Sequence, residues 1–242
     1  MKIKFVSFLF LWYNQTMNPI VEELAKIFAP HARLYIVGGA VRDIILGQHI
    51  YDYDIVSSLG VDKLQNLGLD CKIINRAFGS AKIFYKGLEF DYTTLRRDSY
   101  KCDGHHAPNK VEFVKDIATD SLRRDFTMNA IYYDILDKKF FDFHNGLEDL
   151  RNNIIRAVPP VDKNLQQDPV RILRMVRFSL QYNARIDEET LNCAKKYAKF
   201  INSLSRERIS VEYKKIEKIA KNTQKYGNFD AKSLLNLYGI NF

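Results

Sequence analysis

Two aspartates one residue apart, Asp52 and Asp54, are the side chains in this sequence best suited to chemistry. They lead into an apolar run, and in a β-strand positions i and i+2 point to the same face about 7 Å apart. Two adjacent carboxylates are costly in a core but suit a divalent metal ion. Upstream, Gly38 and Gly39 follow another apolar run, where glycines let backbone N–H groups approach a phosphate at the start of a helix. Metal and phosphate sites this close together indicate phosphoryl or nucleotidyl transfer.

Asp91 is the natural third carboxylate, because it lies in the middle of residues 88–94, whose alternating pattern predicts a half-buried strand. Two-metal phosphoryl transfer needs carboxylates that hold two Mg²⁺ ions about 3.5–4 Å apart. One ion activates the attacking hydroxyl, and the other neutralises the triphosphate and the leaving pyrophosphate. The alternative is that Asp52 and Asp54 simply face solvent on an edge strand.

The elements that must position these residues follow from the spacing of apolar positions. Residues 19–28 have the spacing of a helix, and Gly47 is expected to end the helix that follows the Gly pair. Strand patterns occur in several runs, at residues 34–37, 54–57, 72–75, 81–85, 88–94, 131–135 and 140–143. After Gly146 these patterns fade, and the rest of the chain is mostly helical in pattern. The sequence therefore predicts an α+β head with a mixed sheet, residues 1–145, and a helical part, residues 146–242.

A polar helix is predicted over residues 120–130, which would place Asp125 and Asn129 at positions i and i+4 on one face. The Arg124 guanidinium suits phosphate oxygens, while Asp and Asn side chains suit ribose hydroxyls. The alternative is an ordinary surface helix held by salt bridges.

Asp168 and Arg171, at positions i and i+3, form a pair that can read a base edge. A carboxylate accepts from the exocyclic amine of C or A, and a guanidinium donates to the neighbouring ring acceptors. The alternative is that Asp168, which precedes Pro169, caps a helix. Arg174 continues the arginine spacing and is either part of the site or of a solvated face.

Composition restricts the class of protein. The 242 residues are 46% hydrophobic and 27% charged, which is ordinary for a globular protein, and the net charge of +8 favours an anionic partner such as nucleic acid. The three cysteines form no CxxC pattern, so a zinc site and a disulfide framework are not expected, and a reducing cytoplasm fits. The apolar run at residues 5–13 is too short to span a membrane. We expect Met17 to be the true start and residues 1–16 an upstream extension, with a poor signal-peptide core as the alternative.

Taken together, the motifs resemble those of the bacterial (class II) tRNA nucleotidyltransferases and of the related bacterial poly(A) polymerases, in the polymerase-β-like nucleotidyltransferase superfamily. The resemblance covers about residues 20–220 and is carried by ordered motifs: Gly38-Gly39-Ala40-Val41-Arg42-Asp43, Asp52-Tyr53-Asp54, Phe78-Gly79-Ser80, Asp91-Tyr92-Thr93-Thr94-Leu95-Arg96, Arg123-Arg124-Asp125, Asp168-Pro169-Val170-Arg171 and Ser205-Arg206-Glu207-Arg208.

The resemblance implies a polymerase-β-like head followed by an all-helical neck, and addition of CMP or AMP from CTP or ATP to the 3′ end of tRNA or another RNA. It implies two Mg²⁺ ions bound by the catalytic residues Asp52, Asp54 and Asp91. The residues expected to bind the nucleotide are Gly38, Gly39, Arg42, Arg124, Asp125, Asn129, Asp168, Arg171 and Arg174.

Two departures from the family pattern leave alternatives open. The selecting motif begins Gln167-Asp168 instead of Glu-Asp, which is expected to loosen nucleotide selection. The chain also ends soon after the neck, so that RNA binding is expected to depend on basic residues near the C-terminus or on a second polypeptide. A poly(A) polymerase and a truncated, non-catalytic relative that binds nucleotide or RNA are the alternative functions.

Overall fold

The computed structural model describes residues 17–50, 52–100, 108–222 and 229–242, and the predicted extension at residues 1–16 lies outside them. The helices, in chain order, are α1 Pro19–Phe28, α2 Gly39–Ile45, α3 Ile117–Ser121, α4 Gly146–Arg151, α5 Val161–Gln167, α6 Val170–Tyr182, α7 Glu188–Tyr197, α8 Arg206–Lys221 and α9 Ala231–Leu237. The strands are β1 Leu34–Val37, β2 Tyr53–Ser57, β3 Asp70–Asn75, β4 Ser80–Tyr85, β5 Leu88–Thr94, β6 Arg96–Ser99, β7 Lys110–Phe113, β8 Ile131–Asp134, β9 Lys139–Asp142, β10 Ile154–Ile155 and β11 Arg185–Ile186. Among these residues no helix is long and apolar enough to cross a bilayer.

The described strands include a seven-stranded mixed sheet in the order β3-β4-β5-β2-β1-β8-β9. The pair β2–β5 is parallel, whereas its neighbours pair antiparallel. The predicted α+β fold with a mixed sheet is therefore confirmed.

Local sequence explains the first elements. Helix α1 begins where the Asn18 side chain accepts a hydrogen bond from the Ile20 N–H (3.1 Å) and Pro19 occupies the first turn. One stripe of the helix is buried, as the predicted apolar spacing requires. Gly47, with φ +66°, ends α2 as predicted.

Contacts divide the chain into two compact units. The first contains the residues up to Arg97, Val111–Leu122 and Asn129–Phe143, and the second contains Asp98–Lys110, Arg123–Met128 and His144–Phe242. The predicted division at residue 145 stays a prediction, because the two compact units are not continuous stretches of the chain.

The core of the first unit lies on the sheet. Val37, Val56, Leu95, Ile117 and Tyr132 form one buried cluster. The Tyr132 hydroxyl, which is completely buried, donates a 2.6 Å hydrogen bond to an Asp120 carboxylate oxygen, so that this polar group is satisfied inside the core. Val56 belongs to β2, so the strand that carries Asp54 is anchored in this cluster.

The second unit is mainly helical. Arg177 on α6 donates a 2.7 Å hydrogen bond to Glu212 on α8, and both side chains are largely buried. Burial lowers the pKa of Arg177, while the Glu212 carboxylate opposes that shift. The pair links the two long helices of this unit in the interior, where an uncompensated charge would be costly.

One secondary-structure prediction is wrong. Instead of a helix over residues 120–130, helix α3 ends at Ser121 and only a short 3-10 turn forms at Thr127–Asn129. Between them, Phe126 makes a β-bridge to Ala157, and the Val158 N–H donates to the Asp125 carbonyl (3.0 Å). Pairing with a segment about 30 residues away therefore overrides the local helical pattern.

Candidate active site

Gly38 occupies a turn that only glycine adopts readily. Its backbone has φ +69° and ψ −132°, between the end of β1 and the start of α2. A Cβ atom placed there would stand 3.0 Å from Oδ2 of Asp54. The backbone therefore passes directly against an Asp54 carboxylate, a closeness that any side chain at residue 38 would prevent.

The three predicted metal ligands all belong to the first unit. Asp54 on β2 lies directly opposite Asp91 on the parallel strand β5, so their side chains share one face of the sheet. Asp52 comes two residues before Asp54 and is exposed like the other two carboxylates. The strand pairing thus joins two sequence-distant acidic motifs at one place.

Lys82 on β4 is a neighbour that the sequence analysis missed. It lies opposite Asp91 in the antiparallel pairing, with its Nζ 3.4 Å from Asp91 Oδ1, and it also contacts the Glu89 carboxylate. The hydrogen bond to Glu89 raises the pKa of Lys82. A signal existed in the sequence: a hairpin turning at Lys86 and Gly87 places residue 82 opposite residue 91.

The residue types fit a hard divalent cation, since Asp52, Asp54 and Asp91 are exposed and carboxylate oxygens are ligands that such ions prefer. Within the described ranges, no three His, Cys, Asp or Glu side chains are grouped closely enough to hold a metal ion. The ammonium of Lys82 stands beside Asp91. The assignment of the three aspartates as metal ligands stays a prediction.

A cavity of about 1040 Å³ opens beside these carboxylates in the first unit. Asp52 and Asp91 line one part of it, and His49 and Leu88 line others. Its volume is sufficient for a nucleotide-sized group.

Arg42 and Asn129 are brought together, although 87 residues separate them. Nη1 of Arg42 donates a 2.8 Å hydrogen bond to Oδ1 of Asn129, and Nη2 lies 3.2 Å from the carboxylate of Asp43. The Arg42 side chain is buried. Both predicted nucleotide-binding residues lie in the first unit, and their roles toward a nucleotide stay a prediction.

Asp125 does not share a helix face with Asn129 and belongs to the second unit. Its Oδ2 accepts two hydrogen-bonding contacts from Arg174, at 2.7 Å from Nε and 2.6 Å from Nη2, while its Oδ1 accepts from the Phe126 N–H. Asp125 is the main cause that raises the pKa of Arg174. Arg174 therefore belongs to a charged cluster with a predicted sugar-binding residue, rather than to a merely solvated face. The neighbouring Arg124 carbonyl accepts a 2.8 Å hydrogen bond from the Asn164 side chain.

Asp168 and Arg171 each have another partner. Oδ1 of Asp168 accepts a 2.8 Å hydrogen bond from Arg208 on α8. Arg171 is buried and donates to two backbone carbonyls, those of Asn164 (3.1 Å) and Arg123 (2.6 Å). The alternative prediction that the Asp168 side chain caps helix α6 is wrong, because that helix begins without a side-chain cap.

Arg208 is the second residue whose role was missed. It belongs to a motif quoted from the sequence, but nothing in the spacing indicates that it reaches Asp168, 40 residues earlier. The predicted nucleotide-binding residues are thus divided: Gly38, Gly39, Arg42 and Asn129 lie in the first unit, and Arg124, Asp125, Asp168, Arg171 and Arg174 lie in the second.

Comparison with known proteins identifies the head region. The family model described as the Poly A polymerase head domain matches residues 34–156, which is about half of the chain. The chain is 36% identical to the CCA-adding enzyme of Staphylococcus saprophyticus over 223 residues, which cover 92% of this chain and 53% of that enzyme. It is also 36% identical to the CCA-adding enzyme of Staphylococcus haemolyticus, with coverage of 95% and 54%.

Solved structures are similar in fold. The CCA-adding enzyme of Bacillus stearothermophilus in complex with CTP matches with a TM-score of 0.79 and 29% identity, covering 93% of this chain and 54% of that one. A tRNA-processing enzyme with CTP matches with a TM-score of 0.66 and 27% identity, covering 84% and 55%. This chain spans about half the length of the relatives it matches. The comparisons do not support the predicted second polypeptide.

Proposed function

Because this chain belongs to the Poly A polymerase head domain family, we propose that it is a template-independent nucleotidyltransferase that adds CMP and AMP to tRNA 3′ ends. The RNA 3′-hydroxyl attacks the α-phosphorus of CTP or ATP, a new P–O bond forms, and pyrophosphate leaves. The observation that carries this proposal is the pairing of Asp54 with Asp91, beside the Gly38 turn. The similarity to enzymes named for CCA addition favours this product over poly(A).

Asp52, Asp54 and Asp91 are the residues that would hold two Mg²⁺ ions. Bound there, these ions would supply charge neutralisation for the triphosphate and activation of the attacking hydroxyl. Asp91 also helps to activate the 3′-hydroxyl, because its carboxylate can accept the hydroxyl proton. The bare backbone at Gly38 and Gly39 lets peptide N–H groups approach the phosphates.

The second unit carries the groups for nucleotide selection. Arg208 occupies Oδ1 of Asp168, which leaves Oδ2 to accept from the exocyclic amine of C or A. Arg171, held by two backbone carbonyls, keeps further N–H donors for ring acceptors. This backbone anchoring supports selection even though Gln167 replaces the family's Glu.

Basic residues near the C-terminus are candidates for RNA phosphate contacts. Lys195, Lys214 and Lys218 are exposed, whereas Lys196 pairs with Asp162. Contacts of this kind strengthen RNA binding without reading sequence, and they weaken as salt rises. We place this reaction in the cytoplasm.

The test uses purified protein, Mg²⁺, labelled CTP or ATP, and tRNA transcripts that lack one, two or three of the terminal CCA nucleotides. Products that stop at CCA support the proposal. Products that stop after the two C residues, or addition of the terminal A alone, restrict it to partial CCA addition. Long A tails would show a poly(A) polymerase instead.

The matched control is Asp52→Ala, which should abolish incorporation while the circular dichroism spectrum stays that of the wild type. Retained nucleotide binding without incorporation by the wild type would identify a non-catalytic relative. Activity that survives in Asp52→Ala would show that the metal assignment is wrong.

A further inference from the structure

A row of charged side chains crosses the sheet beside the predicted metal ligands. Lys72 on β3 lies opposite Lys82 on β4, Lys82 lies opposite Asp91 on β5, and Asp91 lies opposite Asp54 on β2. Cross-strand partners project from the same face of a sheet. The first unit therefore places a lysine directly next to a carboxylate that is expected to bind metal.

Lys82 contacts two carboxylates at once. Its Nζ is 3.4 Å from Asp91 Oδ1 and also donates a hydrogen bond to Glu89 Oε1. Glu89 and Asp91 are two residues apart on β5, so both point to the face that Lys82 occupies. One ammonium group therefore bridges a predicted metal ligand and a second acid that is not part of the predicted site.

We propose that Lys82 is a positioning residue that holds Asp91 before metal binds and then releases it by moving its ammonium group fully to Glu89. This inference rests on the proposed function, because it needs Asp91 to be a metal ligand. Lys82 thereby competes with the metal for one carboxylate, and the protein's affinity for divalent cations is set in part by this lysine.

Exposure and charge make such an exchange feasible. The Lys82 and Asp91 side chains are 36% and 54% exposed, and an ion pair this open to water is weak enough to break. A divalent ion at Asp91 would repel the nearby ammonium, whereas Glu89 offers it a second acceptor on the same strand.

The first experiment measures Mn²⁺ binding to the full chain, without nucleotide, from the electron paramagnetic resonance signal of free Mn²⁺. Lys82→Met removes the competing cation and should tighten Mn²⁺ binding about fivefold, the scale of the repulsion between a unit charge and a divalent ion across several ångströms of salt solution. Lys72→Met is the matched control, because this lysine is one strand further from Asp91, and it should change the affinity less than about twofold.

A second variant tests the role of Glu89. In Glu89→Gln the ammonium loses its alternative partner and stays on Asp91, so Mn²⁺ binding should weaken about threefold in the wild-type background. In the Lys82→Met background the same substitution should matter less, because there is no lysine left to relocate. This double-mutant cycle separates the exchange from a direct attraction between Glu89 and the metal.

Asp91→Asn distinguishes failure of this inference from failure of the proposed metal site. If Asp91→Asn weakens Mn²⁺ binding while Lys82→Met leaves it unchanged or weaker, the exchange is wrong and the site stands. If Asp91→Asn has no effect, the metal assignment itself is wrong and the inference fails with it. Tighter Mn²⁺ binding in Lys82→Met together with weaker Mn²⁺ binding in Asp91→Asn supports both the exchange and the metal site.

Discussion

Gly38→Ala is the substitution for which the structure makes the sharpest prediction. The backbone at Gly38, with φ +69° and ψ −132°, lies in a region that costs a residue with a Cβ about 1–3 kcal/mol. Alanine also restricts the unfolded chain, which offsets up to about 1 kcal/mol of that strain. We therefore expect the free energy of unfolding to fall by about 1.5 kcal/mol.

The effect on catalysis should be larger than the effect on stability. The new Cβ would stand 3.0 Å from Oδ2 of Asp54, and since this oxygen ends a mobile side chain, the carboxylate can move aside at little cost. A displaced carboxylate no longer holds the metal correctly, and misplacement on this scale costs about 100-fold in rate. We expect nucleotide addition by Gly38→Ala to fall by about that factor.

Gly39→Ala is the matched control for stability in the same motif. Residue 39 begins α2, and a Cβ there would meet its nearest neighbour, Nη2 of Arg42, at 3.4 Å. Alanine favours the helix by up to about 0.8 kcal/mol, so this variant should be as stable as the wild type or more so. Urea denaturation compares the stability of the two variants, and tRNA end-labelling compares the activity of Gly38→Ala with that of the wild type. Equal stability of Gly38→Ala and Gly39→Ala, or wild-type activity of Gly38→Ala, would refute the reasoning.

Three further predictions concern other parts of the chain. Glu212→Ala leaves the buried Arg177 without its carboxylate and should lower the free energy of unfolding by about 3 kcal/mol in urea, whereas Glu212→Gln should lose less. Arg208→Ala removes the partner of Asp168 and should reduce discrimination of CTP and ATP against GTP and UTP about tenfold in single-nucleotide incorporation, with unchanged discrimination contradicting the assignment. Gly79→Ala combines a left-handed φ of +62° with side-chain contacts below 3 Å, and should destabilise the protein by about 3 kcal/mol in thermal unfolding; a wild-type melting curve would contradict it.

The features that the sequence predicted well are those set by local patterns. Residues 88–94 alternate, and they form β5 with Asp91 on its exposed side; the Gly38 turn follows an apolar strand as expected. The helix over Pro19–Phe28 is confirmed, because its cap, its proline and its apolar stripe all agree.

The features that the sequence missed depend on distant partners. Residues 120–130 have a helical pattern, but Phe126 pairs with Ala157, and no local spacing reports that bridge. Asp168 precedes a proline, as helix N-cap residues often do. Its carboxylate instead accepts a hydrogen bond from the guanidinium of Arg208, 40 residues away. Lys82 is the exception, because counting residues outward from the turn between β4 and β5 pairs it with Asp91.

Anomalous diffraction from crystals grown with Mn²⁺ and CTP tests the central claim most directly. The account predicts Mn²⁺ peaks at coordination distance from carboxylate oxygens of Asp52, Asp54 and Asp91, next to the triphosphate and the Gly38 turn. Well-ordered CTP with no metal peak at these three side chains, or with metal bound elsewhere, would contradict it.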